Sequence, residues 1–423
     1  MRIVELQAEQ FKTFEHTFPY RNFYQTEEYG MLMNRHQFND YYLGLEDDAG
    51  NIVAATLILV RRGAFGFKWG YCPRGYLIDF KNIELLRSFS TLLVEFLKKR
   101  NFMYITLDPI LIYKSRNNHG EIVPGVDNSN IYNTLIELGY EHTGFNLNFE
   151  NIKPRWNAVA NFAPTDNIFY KFNKEKRNKI RKAINLGVEI YEGNPESIRT
   201  FYDFVEKKHT RKFNYYLDMY EIFGKENMFE IYLANLNTSK FVEGVKNLYE
   251  REEMYNTEIN EELLNNSDTN NLNSRNTILK KKEHSDKLLN NYRQNIVKAT
   301  NLFKQYPNGK IIGSAAIIKY NKEIFFLIFG YDKEFRSYCS THLMLYQIME
   351  KCHKEGYNKF NLNGISGDFD HINDLTGLTK FKLGFNAHIE EYLGEFTLTI
   401  NKGKKQTHDR LSPILDWLNT PVL

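Results

Sequence analysis

"LVEFLKKRNFMYITLDP" (Leu93–Pro109) and "LYQIMEKCHKEGYNKFNLNG" (Leu345–Gly364) share one plan. In each, an apolar helix pattern ends in basic residues, passes an aromatic (Phe102, Tyr357) and becomes a strand. In each, the strand leaves through a polar residue, Asp108 or Asn363. Basic side chains suit a helix C-terminus, where carbonyl dipoles concentrate negative charge. Two ordinary helix–strand units would also look alike, but internal duplication accounts for both with one event. The expected architecture is therefore α/β, with two lobes facing each other.

The flanking sequence extends both units. "YYLGLED", "NIVAATLILVRR" and "FKWGYCPRGYLIDF" read as β-rich stretches broken by "DDAGN" and by Gly63, Gly66 and Gly70. "NIELLRSFSTLLVEFLKKR" follows as a helix, with apolar residues at Leu85, Phe89, Leu92, Leu93 and Phe96. In the second half, "EIFFLIFGY" reads as a strand, "STHLMLYQIMEKCHKEG" as a helix and "KFNLNGISG" as a strand.

Between the units, residues 238–306 change character. Phe241, Leu248 and Tyr255 recur seven apart, and Leu289, Tyr292, Ile296, Ala299 and Phe303 recur at spacings of three and four. With "NNSDTNNLNSRN" as the turn, this predicts an antiparallel coiled-coil helical arm. Its first helix is acidic and its second basic, which would pair them or offer RNA a surface. The domain expectation is 1–150 for the first lobe, 151–237 plus 307–400 for the second, 238–306 for the arm and 401–423 for a C-terminal segment.

The 423 residues include 42% hydrophobic and 15% aromatic side chains, enough for a large core. A net charge of +3 excludes a general polyanion binder, so any nucleic-acid site is a local patch. Cys72, Cys339 and Cys352 form no CxxC pair, which points to a reducing cytosol. The N-terminus lacks the apolar core of a secretory leader. The longest apolar run, Ile52–Val60, is about half of the ~20 residues a spanning helix needs. The expected location is cytoplasmic, with access to the membrane face.

HExxH, GxxxxGK[ST] and GxSxG are absent, and "GISG" (Gly364–Gly367) is too short for a nucleotide fingerprint. The strand–helix–strand units resemble the N-acetyltransferase fold, whose glycine-rich turn binds acyl-CoA pyrophosphate through backbone N–H groups. Here the corresponding turn, "EFRSYCSTHLML", carries no glycine, and Cβ atoms at Arg336, Tyr338 and Cys339 would crowd that group. An acyl-CoA N-acyltransferase is accordingly disfavoured.

Seven segments in order carry a more specific resemblance. They are "RGYLIDF" (Arg74–Phe80), "LDPIL" (Leu107–Leu111), "LGYEHTGF" (Leu138–Phe145), "RNKIRKAINLGVEI" (Arg177–Ile190), the arm, "NGISGDF" (Asn363–Phe369) and "KFKLGFNAHIEEYLGEF" (Lys380–Phe396). Over nearly its whole length the chain resembles the Fem family of peptidoglycan interpeptide-bridge aminoacyltransferases, of the FemA and FemB type. The resemblance implies two acetyltransferase-like domains with a coiled arm in the second. It implies transfer of glycine, or serine, from aminoacyl-tRNA to an amine on the stem peptide of lipid II, without metal or organic cofactor. It also implies self- or hetero-association with related transferases. A non-catalytic RNA- or lipid II-binding scaffold is the competing reading.

The same resemblance implies roles for particular residues. Lys382 would stand beside the ester or terminal phosphate and stabilise the oxyanion, with Phe381 stacked on the terminal adenine. The alternative reading of Lys382 is a lysine snorkelling from a hydrophobic hairpin. Asp108 matches a family aspartate near the acceptor amine, where it could take a proton; alone, it reads as the start of an Asp-Pro turn. Arg211, in "KKHTRKFNYY", matches a cluster set against the acceptor's pyrophosphate. Arg74 fixes its loop through backbone carbonyls, and Asn363 and Tyr331 complete the expected substrate-binding set. Lys174, Arg177, Arg181 and Lys182 lie in the densest basic patch and suit phosphate, of tRNA or of lipid II, or else form a solvated face. Two departures concern the acceptor. Met33 stands where many relatives carry a cation, with Arg35 two residues on, and "FGYDKEF" replaces a small-residue turn.

Overall fold

The computed structural model describes residues 1–63, 66–149, 151–208, 211–265 and 272–408. Its strands, in chain order, begin with β1 (Arg2–Glu5), β2 (Asn39–Glu46), β3 (Ile52–Arg62), β4 (Lys68–Cys72), β5 (Phe102–Leu107), β6 (Ile112–Arg116), β7 (Ile122–Asp127) and β8 (Tyr140–His142). They continue with β9 (Trp156–Asn161), β10 (Val188–Glu192), β11 (Phe229–Leu236), β12 (Lys310–Tyr320), β13 (Glu323–Tyr331), β14 (Lys359–Gly364), β15 (Ala387–Tyr392) and β16 (Phe396–Thr399).

Two mixed sheets result, in the orders β1-β2-β3-β4-β5-β16-β8 and β10-β11-β12-β13-β14-β9-β15-β6-β7. The duplication is visible in their topology. β2, β3 and β4 form an antiparallel meander, the helix Ile83–Lys98 crosses over, and β5 pairs parallel to β4. β11, β12 and β13 repeat the meander, the helix Ser340–Lys354 crosses over, and β14 pairs parallel to β13. The sheets also exchange strands: β6 and β7 join the second sheet, and β16 joins the first.

Of the expected strand "FKWGYCPRGYLIDF", only Lys68–Cys72 pairs as a strand. The rest is a loop touching the sheet through one bridge, Leu77 to Ala55. Gln25 holds that loop down. It accepts from Leu57 N–H at 2.7 Å and donates to the Pro73 carbonyl at 3.0 Å. A satisfied buried amide substitutes here for a sheet ladder.

Apolar burial joins the halves. Phe23 meets Phe325 with ring centroids 4.8 Å apart, and Leu32, Met33, Phe201, Phe223 and Ile231 are buried in the same core. Each such side chain contributes about 1.5–3 kcal/mol relative to an exposed position.

The arm consists of two long helices, Thr238–Asn265 and Leu272–Gln305, packed along each other. Part of the expected turn lies outside the described residues, and Leu272–Asn276 is already helical. Asn256 is buried at mid-arm, where it donates to Ser285 Oγ and Asp286 Oδ1 at 2.9 Å and accepts from Lys282 at 2.9 Å. One satisfied polar layer of this kind fixes register between packed helices. No helix among the described residues is long and apolar enough to cross a membrane.

Candidate active site

The parallel pairing of β13 with β14 covers only Glu323 to Phe325 against Lys359 to Asn361. Beyond it the strands part, and the gap becomes a chamber of about 780 Å³. The cause is local. Asn363 adopts φ +68°, a left-handed conformation that asparagine tolerates better than most residues. Its N–H donates to Asn361 Oδ1 and its own Oδ1 accepts from Gly364 N–H, both at 2.9 Å. The kink breaks register with β9 between Asn361 and Gly364. Just past the kink, Lys382 Nζ donates to the Gly364 carbonyl at 2.6 Å.

Lys382 belongs to a helix, Thr376–Leu383, and not to a hairpin, and it is 6% exposed. The snorkelling reading therefore fails. Among the described residues no carboxylate pairs with it, and burial alone pulls its pKa down to about 7. Phe381 lines the chamber beside it, 5.0 Å from the His342 ring and 5.3 Å from Phe385. His342 lines the chamber too, and its Nδ1 is buried without a hydrogen-bond partner. Burial, with Lys176 and Lys179 close by, holds its pKa down to about 4, so it is neutral at pH 7. Tyr331 and Asn363 complete the wall.

A neck of about 20 Å³ leaves the chamber past Leu327 and Asn363. It shares Arg74, Ile110 and Tyr392 with a cleft of about 800 Å³ that both lobes line, from Tyr76 and Phe80 to Lys322 and Lys359. Arg74 is held at the neck by its Nη2 on the Pro154 carbonyl at 2.9 Å and by the Tyr392 ring, 5.0 Å from its Cζ. Asp108 sits behind Arg74 and is 2% exposed. It accepts from Tyr71 Oη at 2.9 Å and from Arg74 N–H at 2.8 Å, and Arg74 Nη1 lies 3.6 Å from its Oδ2. This carboxylate lines neither chamber nor neck. Its contacts are those of an anchor for the loop after β4.

The basic patch divides by side. The helix Lys174–Asn185 forms as expected, capped by Asn173 Oδ1 on Lys176 N–H at 2.9 Å. Arg177 Nη1 donates to the carbonyls of Tyr170 and Phe172, and Arg181 lies over Phe169. Lys174 is exposed. Lys182 and Lys179 instead act on Cys339, at the N-terminus of the helix Ser340–Lys354 that borders the chamber. Lys176, which the spacing argument passed over, is 4% exposed with its Nζ 5.3 Å from the Phe381 ring. Its position three and seven residues before Lys179 and Ala183 on the inward face was the available signal.

Arg211 stands apart from the chamber, over the Tyr215 ring at 4.6 Å. Near it the sequence reading missed Lys153, whose Nζ lies 3.8 Å from the Tyr24 ring. Burial is the main cause that lowers the Lys153 pKa to about 7, opposed by Asp108 and assisted by Arg74 and Arg211. Nothing in "NIKPRW" marks that lysine. Only the fold brings it there.

A model of the FemAB family matches residues 6–408. The chain belongs to that family. It is 26% identical over 423 residues to the aminoacyltransferase FemA of Staphylococcus aureus (strain bovine RF122 / ET3-1), covering 98% of this chain and 99% of that one. It is equally 26% identical over 411 residues to FemA of Staphylococcus epidermidis (strain RP62A), covering 95% and 97%. The crystal structure of FemX superposes with a TM-score of 0.71 at 18% identity over 96% of this chain and 99% of that one, so the two share a fold. The chain is thus an aminoacyltransferase of a family whose members build peptidoglycan bridges, as the seven segments imply.

Proposed function

We propose that this FemAB protein transfers glycine, or serine, from aminoacyl-tRNA to an amine on the stem peptide or growing bridge of lipid II. One observation carries the reading. A lysine with no carboxylate partner among the described residues is buried against a backbone carbonyl, beside an aromatic face, in a chamber opened by parting strands. Burying such a charge is costly unless something negative arrives.

Aminolysis of the ester creates that charge. The acceptor amine attacks the ester carbonyl carbon, the C=O electrons move onto oxygen, and the C–O bond to the ribose then breaks. The amine gives up a proton and the departing ribose oxygen gains one, so no net proton is consumed. Lys382 as ammonium would stabilise the oxyanion, and Phe381 would stack on the terminal adenine. Lys179 and Lys182, whose charges bear on Cys339 in the chamber wall, would meet phosphates of the tRNA end. Asn363, Tyr331 and Arg74 would line the acceptor's route, with Asp108 keeping Arg74 in place. Arg211 would face the acceptor's pyrophosphate.

The test uses purified protein, lipid II bearing zero, one or three bridge glycines, and tRNA charged with labelled glycine or serine. Mass spectrometry should show one acceptor gaining one kind of residue. No gain on any acceptor by folded protein would overturn the proposal.

A further inference from the structure

His342 lines the chamber with Phe381 and Lys382, and the transfer described above gives it no task. It is the third residue of the helix Ser340–Lys354, so a rigid backbone fixes where its ring can reach. The ring stands edge-on to Phe381, at 86° with centroids 5.0 Å apart, and 6.1 Å from Phe385. Its Nδ1 is buried without a hydrogen-bond partner, although the residue as a whole is only partly buried. The part of the ring that reaches the chamber is therefore the side away from Nδ1, where Nε2 lies.

A neutral imidazole carries one N–H, on either nitrogen. The ring is neutral at pH 7, because burial and the charges of Lys176 and Lys179 disfavour its cation. A proton on Nδ1 would be a covered donor with no acceptor, which is costly. The proton is assigned to Nε2 on that ground, and the chamber wall then holds one uncharged N–H donor.

Phe381 and Lys382 decide what that donor meets. A ribose attached to a base stacked on Phe381 lies within one sugar's breadth of the His342 ring. The same ribose carries the ester whose oxyanion falls to Lys382. Beside a 3′ ester, the polar group left on that sugar is its 2′ hydroxyl. An acyl-CoA has no hydroxyl beside its thioester.

We propose that His342 is a specificity-determining residue, whose Nε2–H donates to the free ribose hydroxyl beside the ester and so admits nucleoside esters over thioesters. The inference rests on the proposed transfer from aminoacyl-tRNA, and it adds the residue that reads the carrier.

The first measurement is binding, which needs no transfer. A short fluorescent RNA ending in CCA is titrated with the full chain, its last sugar being either ribose or 2′-deoxyribose. The native chain should bind the deoxy form about tenfold more weakly, as expected when a hydrogen bond is lost and its partner left unpaired. His342→Phe keeps the ring contacts but removes both nitrogens, and should bind the two forms alike. His342→Gln, whose amide can donate from a similar reach, should restore part of the preference, and it carries the test if the phenylalanine lowers the thermal midpoint. In transfer assays His342→Phe should raise KM for aminoacyl-tRNA about tenfold and leave KM for lipid II unchanged. Equal binding of both RNA forms by the native chain overturns the inference. So does a ribose preference that survives in His342→Phe, or a rise in KM for lipid II alone. If the native chain shows the ribose preference but transfers nothing to any acceptor, the proposed function fails while the reading of ribose by His342 stands.

Discussion

The two strand–helix–strand units have one topology and opposite fates at the same place. In the first, β4 and β5 stay paired from Lys68–Phe102 to Cys72–Leu107, and Asp108 then closes the end by gripping Tyr71 and the Arg74 loop. In the second, pairing stops at Phe325–Asn361, and Asn363 turns the strand away. One carboxylate with partners makes a closed end, and one left-handed asparagine makes an open one. The difference shows how a duplicated scaffold can keep one copy for support and free the other for chemistry.

The contrast breaks most sharply at Lys382. Lys382→Met should lower turnover by 10²-fold or more, the usual cost of losing an oxyanion donor. It should not lower the thermal midpoint. A lysine whose folded pKa falls to about 7 disfavours folding at every pH below its unfolded value, fully so below pH 7. Removing it relieves that cost. A large drop in midpoint would make the lysine structural. The same shift predicts that kcat/KM of the native protein falls as pH rises through about 7, once the acceptor amine's own ionisation is corrected for, because the ammonium is lost.

Next in size is the opening itself. A Cβ on Gly364 would come within 2.5 Å of Pro154 Cγ and 2.7 Å of Phe149 Cε1. Gly364→Ala should therefore reduce turnover about tenfold by displacing the carbonyl that holds Lys382, and cost about 1–3 kcal/mol of stability. Full activity would detach the kink from the chemistry. At the closed end the order of effects should reverse. Asp108→Asn keeps the one oxygen that accepts from both Tyr71 and Arg74 N–H but strands the buried Arg74 charge, so denaturant melts should show a loss of about 3 kcal/mol and turnover should fall less than tenfold. The smallest effect belongs to Lys182→Gln. It should flatten the salt dependence of tRNA binding by about one unit of slope, whereas Arg177→Gln, which loses carbonyl contacts, should act on stability.

Much of this was legible in order along the chain. The apolar run Ile52–Val60, the helix Ile83–Lys98, both crossover units and the two arm helices follow from local periodicity, which needs only near neighbours. The loop at residues 73–80 was not legible. Its strand-like composition is overridden by Gln25, which lies 48 residues before Pro73 and satisfies the backbone instead. The helix at Lys382 is hidden in the sequence because two phenylalanines and two glycines mask little more than two turns of apolar spacing. Lys176 and Lys153 escaped because nothing local distinguishes a lysine that points inward from one that points out. Their meaning comes from rings at Phe381 and Tyr24 that only the fold brings to them.

The most direct test compares the open and closed ends in one experiment. Single-turnover transfer from the same charged tRNA to lipid II is timed for the native chain, Lys382→Met and Asp108→Asn, each shown to be folded. The account predicts that Lys382→Met is slowed 10²-fold or more while Asp108→Asn stays within tenfold of native. The reverse order would place the chemistry at the closed end and contradict the account.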